Sequence, residues 1–197
     1  MLETAAMAPD GMSLDDLCQS IHYPKTTIHR ICKCLCNCGY LRQAENGKYC
    51  LTTKLITLGY AVIHNDALLA EARPYMAELA NVTGFTVNLQ RRDFDKVLLL
   101  TKEEPKHSAF HTNAHAGLAS SLLHSACGKV VLSYFSRDEQ HQYWLSHCGD
   151  LANFRYFGTA EIQAEDDFFE ALDQFRRQGF AMDGEGNESG SPVLPFR

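Results

Sequence analysis

The sequence has no run of apolar residues approaching the roughly eighteen that a helix needs to cross a bilayer. The segment from Met1 to Gly11 also lacks the cationic start and the long apolar run of a secretory signal. These absences predict a cytoplasmic protein with no membrane partner. Hydrophobic residues make up 45% of the 197 positions, which predicts a globular chain of one large domain or of a small and a larger one.

The chain also lacks an overall basic charge, since its formal net charge is -6. The charge is unevenly divided. Residues 1 to 60 hold six Lys and Arg against five acids, a net of +1, and residues 61 to 197 hold twelve against nineteen, a net of -7. A nucleic-acid-binding protein needs its cations gathered on one face rather than a basic total. The N-terminal third of the chain is therefore where such a face is expected.

Four of the eight cysteines stand at alternate positions: Cys32, Cys34, Cys36 and Cys38. On a helix only residues three or four apart share a face, so these thiols form two pairs that point in different directions. Four ligands would not converge on a tetrahedral zinc ion unless the helix unravelled. We therefore predict no metal site and place Cys32 and Cys36 in the core. A metal or thiol redox sensor that uses all four cysteines stays open as an alternative.

The segment from Pro24 to Gly39 has the signals of a helix. Pro24 suits its first turn, where the missing N–H would have no partner, and Gly39 suits the position just past its end. Apolar residues recur at helical spacing, which predicts one buried stripe: Ile28, Ile31, Cys32 and Leu35. Donors and cations repeat the same spacing on the other face: Lys25, Thr26, His29, Arg30 and Lys33. Such a row fits phosphates and the acceptor edges of bases in a major groove.

The flanking segments predict a second helix and a hairpin. Upstream, Ser13 and Asp16 resemble a capping box at a helix start. Downstream, short β-prone runs at 40–42 and 48–51 flank Asn46-Gly47, a strong hairpin signal. Helix, turn, helix and hairpin is the order of a winged helix-turn-helix. The alternative is an ordinary helical hairpin with a solvated basic face.

The rest of the chain mixes helices and strands. Residues 53–80 have a helical pattern that Gly59 and Pro74 are predicted to break, and residues 84–100 have strand patterns in which Phe85, Val87 and Leu89 alternate. Residues 165–178 predict an amphipathic helix with Phe169, Leu172 and Phe175 inward and Gly179 as its stop. Three histidines follow the strands at spacings of four, at 107, 111 and 115, but nearby Pro, Asn and Gly argue against the helix that would align them on a metal.

Small residues open another predicted helix within Ser120 to Phe135. The free N–H groups and the dipole at such a helix start favour the approach of a carboxylate. His124 is predicted either to line a ligand site there or to be a buried hydrogen-bonding residue. A catalytic pairing of His124 with Ser125 or Cys127 is disfavoured, because adjacent positions point apart. We predict no catalytic residue.

The N-terminal motifs resemble those of the isocitrate-lyase-regulator (IclR) family of bacterial transcription factors. The similar pieces are P-K-T-T-I-H-R at Pro24 to Arg30, G-Y-L at Gly39 to Leu41 and G-K-Y-C-L at Gly47 to Leu51. The resemblance extends along nearly the whole chain. It implies an α+β fold with a winged helix-turn-helix at 1–59, a linker helix at 60–82 and an incomplete, GAF-like effector-binding domain with a mixed sheet at 83–197.

By this resemblance the protein regulates transcription, is not an enzyme and uses no cofactor. It is expected to form a homodimer or homotetramer on a near-palindromic double-stranded DNA operator, with a small carboxylate or sugar acid altering its affinity. Six residues are expected in or beside the major groove: Lys25, Thr26, Thr27, His29, Arg30 and Lys33. Arg42 and Lys48 are expected to contact backbone phosphates from the wing.

Two further segments resemble the family's effector pocket. Leu123 to Lys129 matches the stretch that enters it, and Gly179 to Gly190 matches a stretch whose first acid lies beside it. The effector-binding residues implied are His124, Ser125, Ala126, Cys127, Gly128 and Asp183. The alternative for Asp183 is a loop acid that caps its own turn.

The resemblance weakens at both ends. The family's first helix is longer than Met1 to Met12 allows, and Val193 stands where a pocket cysteine is expected, between two prolines that interrupt a strand. These departures imply a chain truncated at both ends or one completed by another subunit. Two alternatives therefore remain: an enzyme built around His124 and Asp183, and a nonfunctional remnant of a regulator.

Overall fold

The computed structural model describes residues 1–107, 113–149, 154, 157 and 162–182. The chain divides into two compact units, Met1–Ala67 and Leu68–Arg197. This division falls inside the predicted linker at 60–82, so the three predicted segment boundaries stay predictions. In the described ranges, every helix is too short or too polar to span a bilayer.

The first unit is a small helical domain with a two-stranded hairpin. Its strands pair antiparallel with Leu41 opposite Leu51, and Met12 adds one bridge to Tyr49. The elements in chain order are α1 (Leu2–Ala6), α2 (Leu14–Ser20), α3 (Lys25–Asn37), β1 (Leu41–Gln43), β2 (Tyr49–Leu51) and α4 (Lys54–His64).

One apolar core holds the first three helices against the hairpin. Its buried members are Ala5, Leu17, Ile28, Cys32, Leu41 and Tyr49. The predicted stripe on α3 is confirmed for Ile28 and Cys32, and Leu35 packs against the same core. The prediction is wrong for Ile31, whose exposed fraction is 38%. Ile31 lies at the margin of the stripe, because a step of three residues falls short of a full turn of 3.6.

A capping box begins α2 and a glycine ends α3, as the sequence predicts. Ser13 Oγ accepts the N–H of Asp16 at 3.1 Å, and the Asp16 carboxylate accepts the N–H of Ser13 at 3.0 Å, which completes a capping box. At the end of α3, Gly39 adopts a φ of 73°, and Tyr40 N–H returns to the carbonyl of Leu35 at 2.9 Å. This Schellman arrangement turns the chain out of the helix and into β1.

The hairpin loop has the predicted Asn46-Gly47 at its tip. Gly47 adopts a φ of 78°, which a residue with a Cβ avoids, and Asn46 Oδ1 accepts the N–H of Lys48 at 3.1 Å. The loop therefore has one preferred shape that projects β1 and β2 as a wing.

The predicted breaks in the following helices are wrong. α4 runs through Gly59, and α5 (Ala67–Thr83) runs through Pro74. The chain instead breaks between the two helices, at Asn65 and Asp66. Buried residues on both sides of the proline, Leu69 before it and Met76 and Ala80 after it, hold α5 continuous.

The second unit combines α5 with a sheet and three further helices in its described residues. Its remaining elements are β3 (Val87–Asp93), β4 (Lys96–Glu103), β5 (Ala119–Ser121), α6 (Ala126–Ser133), α7 (Arg137–His147) and α8 (Glu165–Gln178). The strands pair antiparallel in the order β3-β4-β5, with a register shift between Leu89 and Gln90. Phe85 was predicted to belong to the first strand but precedes it and is half exposed.

Aromatic rings form much of the core of this unit. Trp144, Phe154 and Phe168 lie with ring centroids 4.8 to 5.5 Å apart. α8 buries Leu172 and Phe175 as predicted, but its fully buried phenylalanine is Phe168, and Phe169 is only partly buried. Gly179 ends the helix with a φ of 77°, as predicted.

Candidate nucleic-acid interface and effector segment

The outer face of α3 presents polar and cationic side chains to solvent. All five residues of the predicted row are exposed, while Ile28 and Cys32 on the opposite face are fully buried. Thr27, also predicted to lie near DNA, is half-buried beside this row. We call this surface the recognition face; it comprises Lys25, Thr26, His29, Arg30 and Lys33.

The first cation of the recognition face is held by an acid of α2. Lys25 Nζ lies 2.5 Å from Asp15 Oδ1, and both side chains are mostly exposed. The hydrogen bond that Lys25 donates to the Asp15 carboxylate raises the pKa of its ammonium above the ordinary value. Asp15 therefore adds a negative charge beside the residues expected to meet phosphates.

The two predicted wing cations differ in their surroundings. Arg42 on β1 is exposed, whereas Lys48 is half-buried. The pKa of Asp16 lies below its ordinary value, chiefly because the Ser13 side chain and backbone donate to its carboxylate, and the nearby charge of Lys48 adds to this effect. Lys48 is therefore close enough to α2 to stabilise the Asp16 carboxylate slightly.

Lys54, at the start of α4, has a structural role that sequence reasoning missed. Its Nζ donates to the carbonyl of Cys38 at 2.7 Å and lies 4.6 Å from the ring centroid of Tyr40. A cation at the end of α3 stabilises the free carbonyls there. The sequence shows a lysine at the start of a helical pattern. It gives no sign that this lysine contacts Cys38 and Tyr40 on the other side of the hairpin.

The four alternate cysteines separate onto two faces as predicted. Cys32 is fully buried and Cys36 half-buried, and burial raises the pKa of both thiols. Cys34 and Cys38 are exposed. Within the ranges that the structure describes, no three His, Cys, Asp or Glu side chains come together in a way that would hold a metal ion. One predicted histidine candidate, His111, lies outside the described residues.

The start of α6 is built by serine hydrogen bonds. Ser125 Oγ accepts the N–H of Gly128 at 3.1 Å and donates to the carbonyl of Ser121 at 2.8 Å. Ser121 Oγ in turn accepts the N–H of Leu123 at 3.1 Å. The segment thus places the capping hydroxyl of Ser125 at the positive end of the helix dipole.

Gly128 lets α6 approach the end of β5. A Cβ built at this position would lie 2.5 Å from the carbonyl oxygen of Ser121 and 2.6 Å from the Cα of Leu122. The residue type is therefore fixed by close backbone contact, although its φ is ordinary.

Lys129 follows as a fully buried cation. Its Nζ donates to the carbonyl of Met182 at 2.9 Å, which ties α6 to the chain that leaves α8. The next residue, Asp183, lies outside the described residues. His124 is exposed, so the alternative in which it is a buried residue is wrong. Lys129 lies within the segment that resembles the family's effector-pocket motif, but it is not among the predicted effector-binding residues.

Comparison with known proteins assigns the chain to a class. Residues 2–45 match the IclR helix-turn-helix domain, and residues 60–192 match the family described as bacterial transcriptional regulator IclR C-terminal. An uncharacterized HTH-type transcriptional regulator of Haemophilus influenzae is 31% identical over 96% of this chain and 70% of that protein. The DNA-binding transcriptional repressor YiaJ of Escherichia coli is 32% identical over 96% of this chain and 67% of that protein.

Solved structures agree on the fold. An IclR family regulator from Brucella abortus has a TM-score of 0.69 at 22% identity, over 87% of this chain and 63% of that chain. A second regulator, from a Silicibacter species, has a TM-score of 0.70 at 20% identity, over 95% of this chain and 73% of that chain.

The fold and the family matches together define a winged helix-turn-helix protein with an α+β effector-type domain. The chain belongs to the IclR family of bacterial transcriptional regulators. It is a regulator and not an enzyme, and it spans 63% to 73% of the length of the four relatives described above.

Proposed function

We propose that the recognition face of α3 enters the major groove and reads the operator. The observation that carries this proposal is a row of exposed donors and cations on a helix whose opposite face is locked into the core. In our assignment Thr26, His29 and Arg30 contact base edges, and Lys25, Thr27 and Lys33 lie beside them at phosphates. Arg42 and Lys48 contact backbone phosphates from the wing.

Two arginine variants test this division of roles. We expect Arg30→Ala to cost about 1 to 3 kcal/mol on the operator and to relax specificity, because a base-reading contact is lost. We expect Arg42→Ala to weaken binding to all sequences alike and to reduce the salt slope by about 1, because a phosphate contact is lost. Fluorescence anisotropy on operator and scrambled duplexes measures both. Operator binding by Arg30→Ala equal to the wild type would contradict the assigned face.

We infer that two or four copies assemble on a near-palindromic operator. The apolar surface of α4 supports this inference: no residue of that fully described helix is buried, and Ile56, Tyr60 and Val62 are 71%, 65% and 65% exposed. An exposed apolar surface of this kind marks an interaction site. A two-fold pair of recognition helices would match two half-sites one helical turn apart.

We propose that the start of α6 binds the carboxylate of a small organic or sugar acid. The positive end of the helix dipole and the Ser125 cap at the start of α6 support an anion site. His124, Ser125, Ala126, Cys127 and Gly128 would surround it, with Asp183 accepting hydrogen bonds from ligand hydroxyls. Because several relatives are named repressors, we propose that the effector relieves repression in the cytoplasm.

A ligand titration tests the effector site. A structural neighbour from Microbacterium hydrocarbonoxydans was crystallised with 4-hydroxybenzoate, which makes that carboxylate a suitable first probe beside gluconate and glyoxylate. We expect at least one probe to raise the melting temperature of the wild-type chain and to lower its DNA affinity. Ser125→Ala removes the cap and should weaken this response, whereas Ser146→Ala, at an exposed serine of α7, should leave it unchanged. An equal response in both variants would contradict the site.

A further inference from the structure

The recognition helix carries a second chemical feature beside its DNA-facing row. Cys34 and Cys38 are exposed, while the six other cysteines are buried or half-buried. Cys34 lies in the last turn of α3, and Cys38 is the C-cap residue four positions later, where the backbone still has helical angles. Because helical side chains lean toward the N-terminus, the Cys38 thiol lies over the turn that carries Cys34. The pair therefore shares one solvent-facing patch.

The spacing of this pair suits a bridging atom rather than a disulfide. Residues four apart on a helix have Cβ atoms about 5–6 Å apart. A disulfide requires Cβ atoms about 3.5–4.5 Å apart, so the regular helix does not bring the sulfurs close enough to bond directly. One thiophilic atom between the two sulfurs adds the missing length without unwinding the helix.

Three cations stand near this pair along the chain or at its backbone. Arg30 precedes Cys34 by one turn, Lys33 is its neighbour in sequence, and both are exposed. The Nζ of Lys54 donates to the backbone carbonyl of Cys38 at 2.7 Å. Exposed cysteines in electropositive surroundings are the ones that react and bind soft metals. The inner thiols, by contrast, pack in the core, where Cys32 Sγ lies 3.6 Å from Met1 Sδ.

We propose that Cys34 and Cys38 form a two-sulfur site for a thiophilic centre, either a trivalent arsenical or a monovalent soft metal ion. An arsenoxide exchanges its oxygen for two As–S bonds while both thiol protons leave in the water released, and arsenic stays trivalent. A metal ion binds as the two thiols release their protons. The occupied site places bulk beside Arg30 and Lys33 and lowers DNA affinity.

The uptake of the thiophile does not depend on the proposed recognition face, but its effect on DNA does. The first experiment therefore measures uptake alone, by treating the full chain with one equivalent of phenylarsine oxide. We expect one adduct by intact mass and a fall from eight titratable thiols to six. Cys34→Ser and Cys38→Ser should each weaken uptake about tenfold or more, because a second tethered ligand raises the effective concentration.

A matched control removes two half-buried thiols elsewhere, Cys50→Ser with Cys148→Ser, and should keep full uptake. Anaerobic titration with Cu(I) repeats the comparison and separates the metal from the arsenical. Protection of two thiols in the Cys34→Ser, Cys38→Ser double variant, or no uptake of either probe by the wild type, would overturn the site.

The second experiment measures DNA affinity with and without the adduct, on the duplex that the untreated protein prefers. We expect a loss of about tenfold, equivalent to one base-reading contact, in the wild type and none in the double variant. Uptake with unchanged DNA affinity would overturn the coupling. Absence of any preferred duplex for the untreated protein would instead count against the proposed recognition face, which keeps the two failures apart.

Discussion

At the scale of single residues, the Asp15–Lys25 pair opposes DNA binding in the free protein. The pair is exposed, and exposed ion pairs contribute little to stability, so Lys25 is released at little cost when a phosphate approaches. The acid itself remains beside the DNA, where it repels phosphates. The recognition face is thus weaker for a phosphate backbone than its cations alone suggest.

We expect Asp15→Asn to strengthen DNA binding. The variant removes a negative charge and frees Lys25, so affinity should rise about two- to tenfold and the salt slope should steepen by up to about 1. Asp10→Asn, at an exposed acid outside the helices, is the matched control and should change neither quantity. Anisotropy at several salt concentrations measures both. Weaker binding by Asp15→Asn would mean that Asp15 positions Lys25 for DNA instead.

Sequence reasoning placed many single residues correctly where periodicity was unambiguous. It separated the inner cysteines of α3 from the outer ones and identified Ile28 as a core residue. The prediction is wrong for Ile31, which is exposed, and it missed Phe168, which is fully buried while Phe169 is only partly buried. Whether a residue at the margin of an apolar stripe is buried depends on the residues that pack against it. Partners distant in sequence, such as the Lys54 ammonium and the Cys38 carbonyl, leave no local pattern.

At the scale of elements, two glycines in helices predict opposite outcomes. Gly128→Ala should destabilise the second unit by about 1–3 kcal/mol, because the new Cβ overlaps the backbone of β5 and the residue after it. Gly59→Ala should stabilise α4 by roughly 0.5–1 kcal/mol, since its Cβ meets nothing within 4 Å. Thermal unfolding of the two variants tests the pair. Equal effects would contradict the close approach of α6.

The capping box of α2 predicts a pH-dependent contribution to stability. Its hydrogen bonds hold the pKa of Asp16 below the ordinary value of 3.8. A depressed carboxyl pKa stabilises the fold above the unfolded value and loses that contribution as pH falls through the folded one. Ser13→Ala should therefore destabilise the fold at neutral pH, and part of that loss should disappear as the solution is acidified through the folded pKa of Asp16. The remaining part comes from the lost acceptor of the Asp16 N–H and does not depend on the carboxylate.

Chemical unfolding from pH 7 to pH 3 measures this difference, with Ser20→Ala at the end of α2 as the control. A Ser13→Ala penalty that stays constant over the whole range would show that the carboxylate does not depend on the serine.

Element order was more predictable than element length. Capping residues, Gly39 and the Asn46-Gly47 loop are local signals, and they placed α2, α3 and the wing correctly. Gly59 and Pro74 misled because a helix interior tolerates a glycine at about 1 kcal/mol, and packing on both sides of a proline offsets its larger cost. The burial of Leu69, Met76 and Ala80, which the sequence does not display, keeps α5 continuous through Pro74.

At the scale of the whole molecule, the apolar surface of α4 predicts that the chain self-associates. Replacing Tyr60 and Val62 with Asp should produce monomers, because an apolar interface would then bury two charges. Analytical ultracentrifugation measures the mass of wild type and variant. The matched control is Lys54→Arg, which keeps the cation at the end of α3. Unchanged assembly of the charged variant would place the subunit interface elsewhere.

Sequence-specific DNA binding is the central claim, and a salt-dependent titration of the wild-type chain tests it most directly. The labelled duplex would come from the DNA upstream of its own gene, with a scrambled duplex of equal length as reference. We expect a preference of a hundredfold or more for the native duplex and a steep loss of affinity with salt, as base readout on a phosphate-bound helix requires. Equal, weak binding to both duplexes would contradict the account.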